Sequence, residues 1–154
     1  MRPVNTKHNT FHKGDTMKSK TTDNVNHPKH YQSLFRMKEP ECIEFSELMT
    51  FCRGNAFKYV WRYGSKGDVD KSIEDLKKAI WYLVRCRKKR DSINNEIIVP
   101  MWSFIVKPKD GVAREKYGIL DKIVSMDYDK AIKRIQSEII RLAREKYRIG
   151  EHKA

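Results

Sequence analysis

Asn55, Lys58, Tyr59 and Arg62 stand at i, i+3, i+4 and i+7, so on a helix they form one stripe while Phe57, Val60 and Trp61 turn to another. A lysine and an arginine one turn apart, with an amide and a phenol on the same stripe, suit the oxygens of a di- or triphosphate. Arginine binds them through a planar fork and lysine as a point charge. Lys66 follows in Gly64-Ser65-Lys66-Gly67, where flanking glycines let the backbone come close and the lysine close over the same anion. The alternative is a solvated basic face beside an ordinary helix stop. His27, Lys29, His30 and Tyr31 make a second cluster, in a loop stiffened by Pro28. Histidines donating to a phosphate are expected there rather than zinc, because Cys42 and Cys52 do not continue a zinc-ligand spacing. Asp75, Lys78 and Tyr82 share a further face at i, i+3 and i+7, which places Asp75 to orient Lys78. Asp70 and Glu74 read first as carboxylates favoured at a helix N-terminus; with Asp68 and Asp75 they could instead hold Mg²⁺ indirectly, through bound phosphates. No Walker A loop, GxGxxG or GxSxG occurs, so any nucleotide site is helical in origin.

The elements that must carry these residues are mostly helices. Cys42, Phe45, Leu48, Met49 and Cys52 recur with helical period and predict a first helix over 41–52, which Gly54 breaks. Asn55 then caps a second helix over 56–63, stopped by Gly64. From 70 to 90, Ile73, Leu76, Ile80, Leu83 and Val84 form an apolar stripe with lysines and arginines around it, the clearest amphipathic helix in the chain. Residues 97–106 are β-branched and aromatic, split by Pro100, and predict two short strands or an extended edge. Residues 107–111 read as a turn, and 127–148 as an amphipathic helix. The expected fold is therefore mainly α. A polar tail without periodic apolar pattern, 1–25, is expected to be disordered; a small helical core spans 26–92, and an extension of short strands and a helix spans 93–154.

Composition narrows the ligands. In 154 residues, 33 Lys and Arg oppose 20 Asp and Glu, a net charge of +13, so a polyanion is the expected partner: nucleic acid, nucleotides or a membrane surface. Hydrophobic residues make up 39%, which implies a modest core. A core of about 65 residues buries too little surface to be comfortable alone, so a homo-oligomer is expected, joined through the 70–90 stripe or the extension. No apolar run is long enough to span a membrane and the first residues lack a signal-like apolar stretch; the chain is expected to be cytoplasmic. Three cysteines without a CxxC pattern fit reduced thiols.

Four ordered motifs carry a resemblance. Asn26-His27-Pro28-Lys29-His30-Tyr31, Glu41-Cys42-Ile43-Glu44, Gly54-Asn55-Ala56-Phe57-Lys58-Tyr59-Val60-Trp61-Arg62 with Gly64 and Lys66, and Glu74-Asp75-Leu76-Lys77-Lys78-Ala79-Ile80-Trp81-Tyr82-Leu83 together resemble the SaV-like phage domain, which forms the core of the nucleotide kinase of short-tailed coliphages. The resemblance covers about residues 26–90. It implies phosphoryl transfer from a nucleoside triphosphate to a deoxynucleoside monophosphate, in the host cytoplasm, in support of phage DNA synthesis. Such a reaction needs no carboxylate base, since a monophosphate is already largely a dianion at neutral pH; it needs positioning and charge neutralisation. Lys58, Arg62, Lys66 and His30 are the expected catalytic residues, and His27, Lys29, Tyr31, Asn55, Tyr59, Asp75 and Lys78 the expected nucleotide-binding ones, with no metal ligand among them.

Two other readings compete. One is a single-stranded nucleic-acid-binding accessory protein, using Tyr59, Trp61, Tyr63, Trp81 and Tyr82 among cationic helices. The other is an all-helical, Mg²⁺-dependent nucleoside triphosphate pyrophosphohydrolase, with Glu41, Glu44, Asp70, Glu74 and Asp75 converging on the metal.

Overall fold

A computed structural model of the chain describes residues 31, 40–65, 67–89 and 94–151. The expected polar tail, His27, Lys29, His30 and Lys66 lie outside the described residues. Among the described residues six helices follow one another: α1 Cys42–Ser46, α2 Phe51–Arg62, α3 Val69–Lys88, α4 Asn95–Ser103, α5 Gly111–Val124 and α6 Tyr128–Glu151. The fold is mainly helical, and no strand occurs among the described residues.

The expected first helix is divided. The Glu44 carboxylate accepts from the Glu41 backbone N–H at 2.5 Å and starts α1. The chain then turns through 47–50, and Thr50 stands as N-cap of α2. Gly54 lies inside α2 and breaks nothing, and Asn55 caps nothing; its amide donates to the Phe51 carbonyl one turn back at 2.7 Å. Gly54 is there for another reason. A Cβ at this position would sit 2.7 Å from the Ser46 carbonyl oxygen, so the absent side chain is what lets the end of α1 lie on α2. The stop at Gly64 is as expected, with φ +74 one residue beyond the C-cap.

The core is built from both halves of the chain. Arg53, Ala56, Phe57, Val60 and Trp61 are buried on α2 with period 3–4. Phe45, Phe57, Trp61 and Trp102 pack with ring centroids 5.5–6.2 Å apart, so an α4 residue sits in the same aromatic cluster as α1 and α2. Arg53, fully buried, donates through Nε to the Ile123 carbonyl at 3.2 Å and through Nη2 to the Val124 carbonyl at 2.6 Å, tying α2 to the C-terminal end of α5. Leu76, Ala79 and Leu83 of α3 are wholly buried within the single chain, with α2 and α6 as neighbours. Of the stripe expected to recruit other copies, Leu76 and Leu83 are covered within one chain, while Ile73, Ile80 and Val84 remain partly exposed.

Residues 97–106 are the clearest correction. They hold no strand: α4 runs through them to Ser103 with Pro100 inside it. Ile98, Trp102 and Ile105 are buried at i, i+4 and i+7 while Ile97, Val99 and Phe104 stay exposed, so helical period governs and β-branching does not. The helix α5, which follows the expected turn at 107–111, has no counterpart among the expected elements.

Candidate functional site

Between α2 and the first half of α3 lies a cavity of about 610 Å³, lined by Tyr59, Arg62, Gly67, Lys71, Glu74, Asp75 and Lys78. It exists because α2 ends and α3 begins on either side of one short turn. Two glycines with positive φ, Gly64 at +74 and Gly67 at +79, allow the tight reversal. Ser72, buried on α3, accepts from the Gly64 N–H at 3.0 Å and donates to the Asp68 carbonyl at 3.1 Å, which pins the turn to the helix it leads into. Asp68 caps α3 by accepting from the Lys71 N–H at 3.0 Å.

Arg62 and Asp75 form the wall. The Asp75 carboxylate, 4% exposed, accepts from Arg62 Nε at 2.9 Å with one oxygen and from Nη2 with the other, a two-point grip that fixes the guanidinium plane. Tyr31 accepts from Nη1 at 3.3 Å. The Asp75 hydrogen bond holds the Arg62 pKa even higher than usual, against the opposing effect of burial. A guanidinium has five N–H donors, so these bonds leave others to face the cavity. Asp75 therefore positions Arg62 and not Lys78, which corrects the expected pairing.

Lys78 belongs to a second, exposed network. Its Nζ donates to Glu74 at 2.6 Å, and Lys71 donates to the other Glu74 oxygen at 2.9 Å. Hydrogen bonds from the two lysines hold the Glu74 carboxyl down at about 2. The Glu74 bond likewise raises the Lys78 pKa. These pairs are solvent-screened and readily exchanged.

Tyr59 is the centre. Arg62 Cζ lies 5.0 Å, Lys58 Nζ 5.4 Å and Lys78 Nζ 5.7 Å from its ring centroid, all within cation–π reach. The ring stacks on Tyr82 at 5.9 Å with planes 18° apart. The fold thus brings together residues that the sequence places in three separate groups: Tyr31, the stripe Lys58, Tyr59 and Arg62, and the pair Asp75 and Lys78. Asn55 is not with them: it lines a separate, shallower depression of about 220 Å³ that also touches Lys58. Lys71 and Glu74 line the cavity but are not among the expected site residues, Glu74 because a carboxylate near a helix start has a simpler explanation. A signal existed in Lys71, Glu74 and Lys78 at i, i+3 and i+7, one face of α3.

The carboxylates proposed to gather on Mg²⁺ are dispersed instead. Glu44 accepts from the Glu41 backbone, Asp70 takes both its bonds from Lys146 of α6 at 2.7 Å, Glu74 pairs with Lys71 and Lys78, and Asp75 with Arg62. Among the described residues no group of three or more His, Cys, Asp or Glu side chains is placed to hold a metal ion. Trp61 and Tyr63, two of the aromatics expected to stack on bases in the nucleic-acid reading, are wholly buried. No helix among the described residues is long and apolar enough to cross a membrane.

Residues 25–84 match the model of a family described as a protein of unknown function, DUF3310. The matched segment includes the whole cavity lining and ends within α3. No curated protein and no solved structure gives a match.

Proposed function

We propose that this chain binds a nucleoside triphosphate in the cavity over Tyr59 and transfers a phosphoryl group from it to a deoxynucleoside monophosphate, the activity implied by the resemblance to the SaV-like phage domain. One observation carries the reading: three cations surround a single tyrosine ring at 5.0–5.7 Å, and one of them, Arg62, is locked in place by a buried carboxylate. An oriented guanidinium flanked by mobile ammonium groups is what a polyphosphate needs.

Binding begins by exchange. A phosphate chain carries more charge than Glu74 and displaces it from Lys71 and Lys78, whose bonds to it are exposed. Arg62 keeps Asp75 and offers its remaining N–H groups to the same ligand. The acceptor monophosphate, with a second pKa near ~6, attacks as a dianion, so the residues have only to align it and neutralise the transferred group. Lys58 and Arg62 serve the donor phosphates, and Tyr59 offers a face to a base or sugar. From the sequence alone, Lys66 is assigned to the donor phosphates, His30 or Lys29 to the acceptor phosphate, and His27 to nucleotide binding. Mg²⁺, if bound, would come with the donor phosphates rather than to a protein carboxylate cluster, and would supply charge neutralisation there.

The test is transfer of radiolabelled phosphate from ATP to each of the four deoxynucleoside monophosphates, with and without Mg²⁺. Labelled diphosphate formed only when a monophosphate is added is the expected result. Release of pyrophosphate from the triphosphate alone would replace this reading with hydrolysis, and no product under any condition would remove it.

A further inference from the structure

The cavity opens beside an aromatic strip that a mononucleotide does not need. Tyr59 stacks on Tyr82; Phe51 meets the Tyr82 ring edge-on at 6.0 Å and Trp81 meets it at 4.9 Å. Phe51 is 75% and Trp81 55% exposed, although the chain has a covered core in which Trp61 and Trp102 are 0% and 4% exposed. Two large rings, each on a different helix, stand edge-on to Tyr82 and are more than half exposed. The surround is cationic. Arg85 Cζ lies 4.6 Å over the Trp81 ring, and Lys77, Arg85 and Lys88 fall at i−4, i+4 and i+7 from Trp81 on the exposed face of α3. None of these three has a carboxylate partner among the described residues.

We infer that the strip Phe51–Tyr82–Trp81, bordered by Lys77, Arg85 and Lys88, is a docking surface for single-stranded nucleic acid. Bases stack on the exposed rings and the backbone follows the row of cations, the combination that binds single strands without sequence preference. The charge row argues for this occupant over a second copy of a +13 chain, since two such faces meeting would oppose like charges. This surface is distinct from the phosphate cavity, and it stands or falls independently of phosphoryl transfer.

The experiment titrates a fluorescein-labelled oligo(dT) 15-mer by anisotropy with the full chain, its Phe51→Ala, Trp81→Ala and Arg85→Gln variants, and unlabelled dTMP as competitor. Melting curves check that each variant is folded, which exposed positions favour. Quenching of tryptophan emission gives a second readout, because Trp81 is the sole exposed tryptophan of three. Expected are a roughly tenfold or greater loss of affinity in Phe51→Ala and in Trp81→Ala, a log–log salt slope that shrinks by about 0.7 in Arg85→Gln, and a strand that quenches Trp81 and resists dTMP. Absence of binding at low salt, affinity indifferent to both aromatic substitutions, or displacement by dTMP at equal nucleotide concentration would overturn the inference. So would sedimentation showing a self-associated chain that Phe51→Ala dissociates and that binds no strand, for then the strip joins copies of the protein.

Discussion

Asp75 holds Arg62 by two hydrogen bonds across the α2–α3 turn, one of them at 2.9 Å to Nε, and so turns a flexible side chain into a fixed fork at the cavity wall. The relationship joins the turn to the cavity, because the pair that spans the turn also fixes the guanidinium at the cavity wall.

Replacing Asp75 with Asn leaves Arg62 charged and poorly held. A broken buried pair costs about 3–5 kcal/mol, and solvent access at Arg62 reduces that, so a loss of about 1–3 kcal/mol is expected in urea denaturation. Arg62→Lys should lose a similar amount, since an ammonium cannot make the two-point contact. Unchanged unfolding midpoints in both variants would show that the pair does not hold the turn.

The two helical glycines with close neighbours separate packing from propensity. At Gly54 an added Cβ meets the Ser46 backbone oxygen at 2.7 Å, whereas at Gly118 it meets the end of the Arg134 side chain at 3.0 Å. Alanine is better than glycine inside a helix by about 1 kcal/mol, and an arginine tip can move while a backbone carbonyl cannot. Gly118→Ala should therefore gain up to about 1 kcal/mol, and Gly54→Ala should lose about 1–3 kcal/mol from overpacking. Thermal melts showing the same sign for both would contradict this account of α1 against α2.

Lys116 of α5 gives a pH signature. It is 4% exposed, donates to the Trp61 carbonyl at 2.9 Å, and is lowered by burial to about 8. Below that value the lysine is protonated in both folded and unfolded chains. Between about 8 and 10.5 the unfolded chain holds the extra proton, so stability rises with pH in that window. Burial also pushes the Cys42 thiol from 9.0 up to about 12; above 9 the unfolded chain loses that proton first and stability falls. Comparison of Lys116→Met with the parent, both carrying Cys42→Ala, removes the thiol, which interacts with Lys116. The stability of the parent relative to that variant should climb from pH 7 to pH 10, and parallel curves would mean that Lys116 is not a buried ammonium.

The sequence made part of this legible. The glycine at 64 marked the stop of α2, and period located α3 and α6 and put Lys58, Tyr59 and Arg62 on one stripe, because helical spacing is a local property. It misjudged Gly54, whose role depends on the Ser46 carbonyl that only the folded chain brings near. It misread 97–106, where β-branched residues follow a helical burial pattern set by contacts with distant aromatics. It assigned Asp75 to Lys78 from spacing within one helix, while the actual partner lies 13 residues back on another. Partners across a turn are not visible in the period of either helix.

The central claim, that the cavity over Tyr59 is a polyphosphate site, is tested most directly by calorimetric titration of ATP into the parent chain, Arg62→Ala and Glu74→Gln at fixed ionic strength. Glu74→Gln removes the carboxylate that occupies Lys71 and Lys78 and should tighten binding several-fold, while Arg62→Ala should weaken it about tenfold or more. Equal affinity in all three proteins, or no binding by the parent chain, would contradict it.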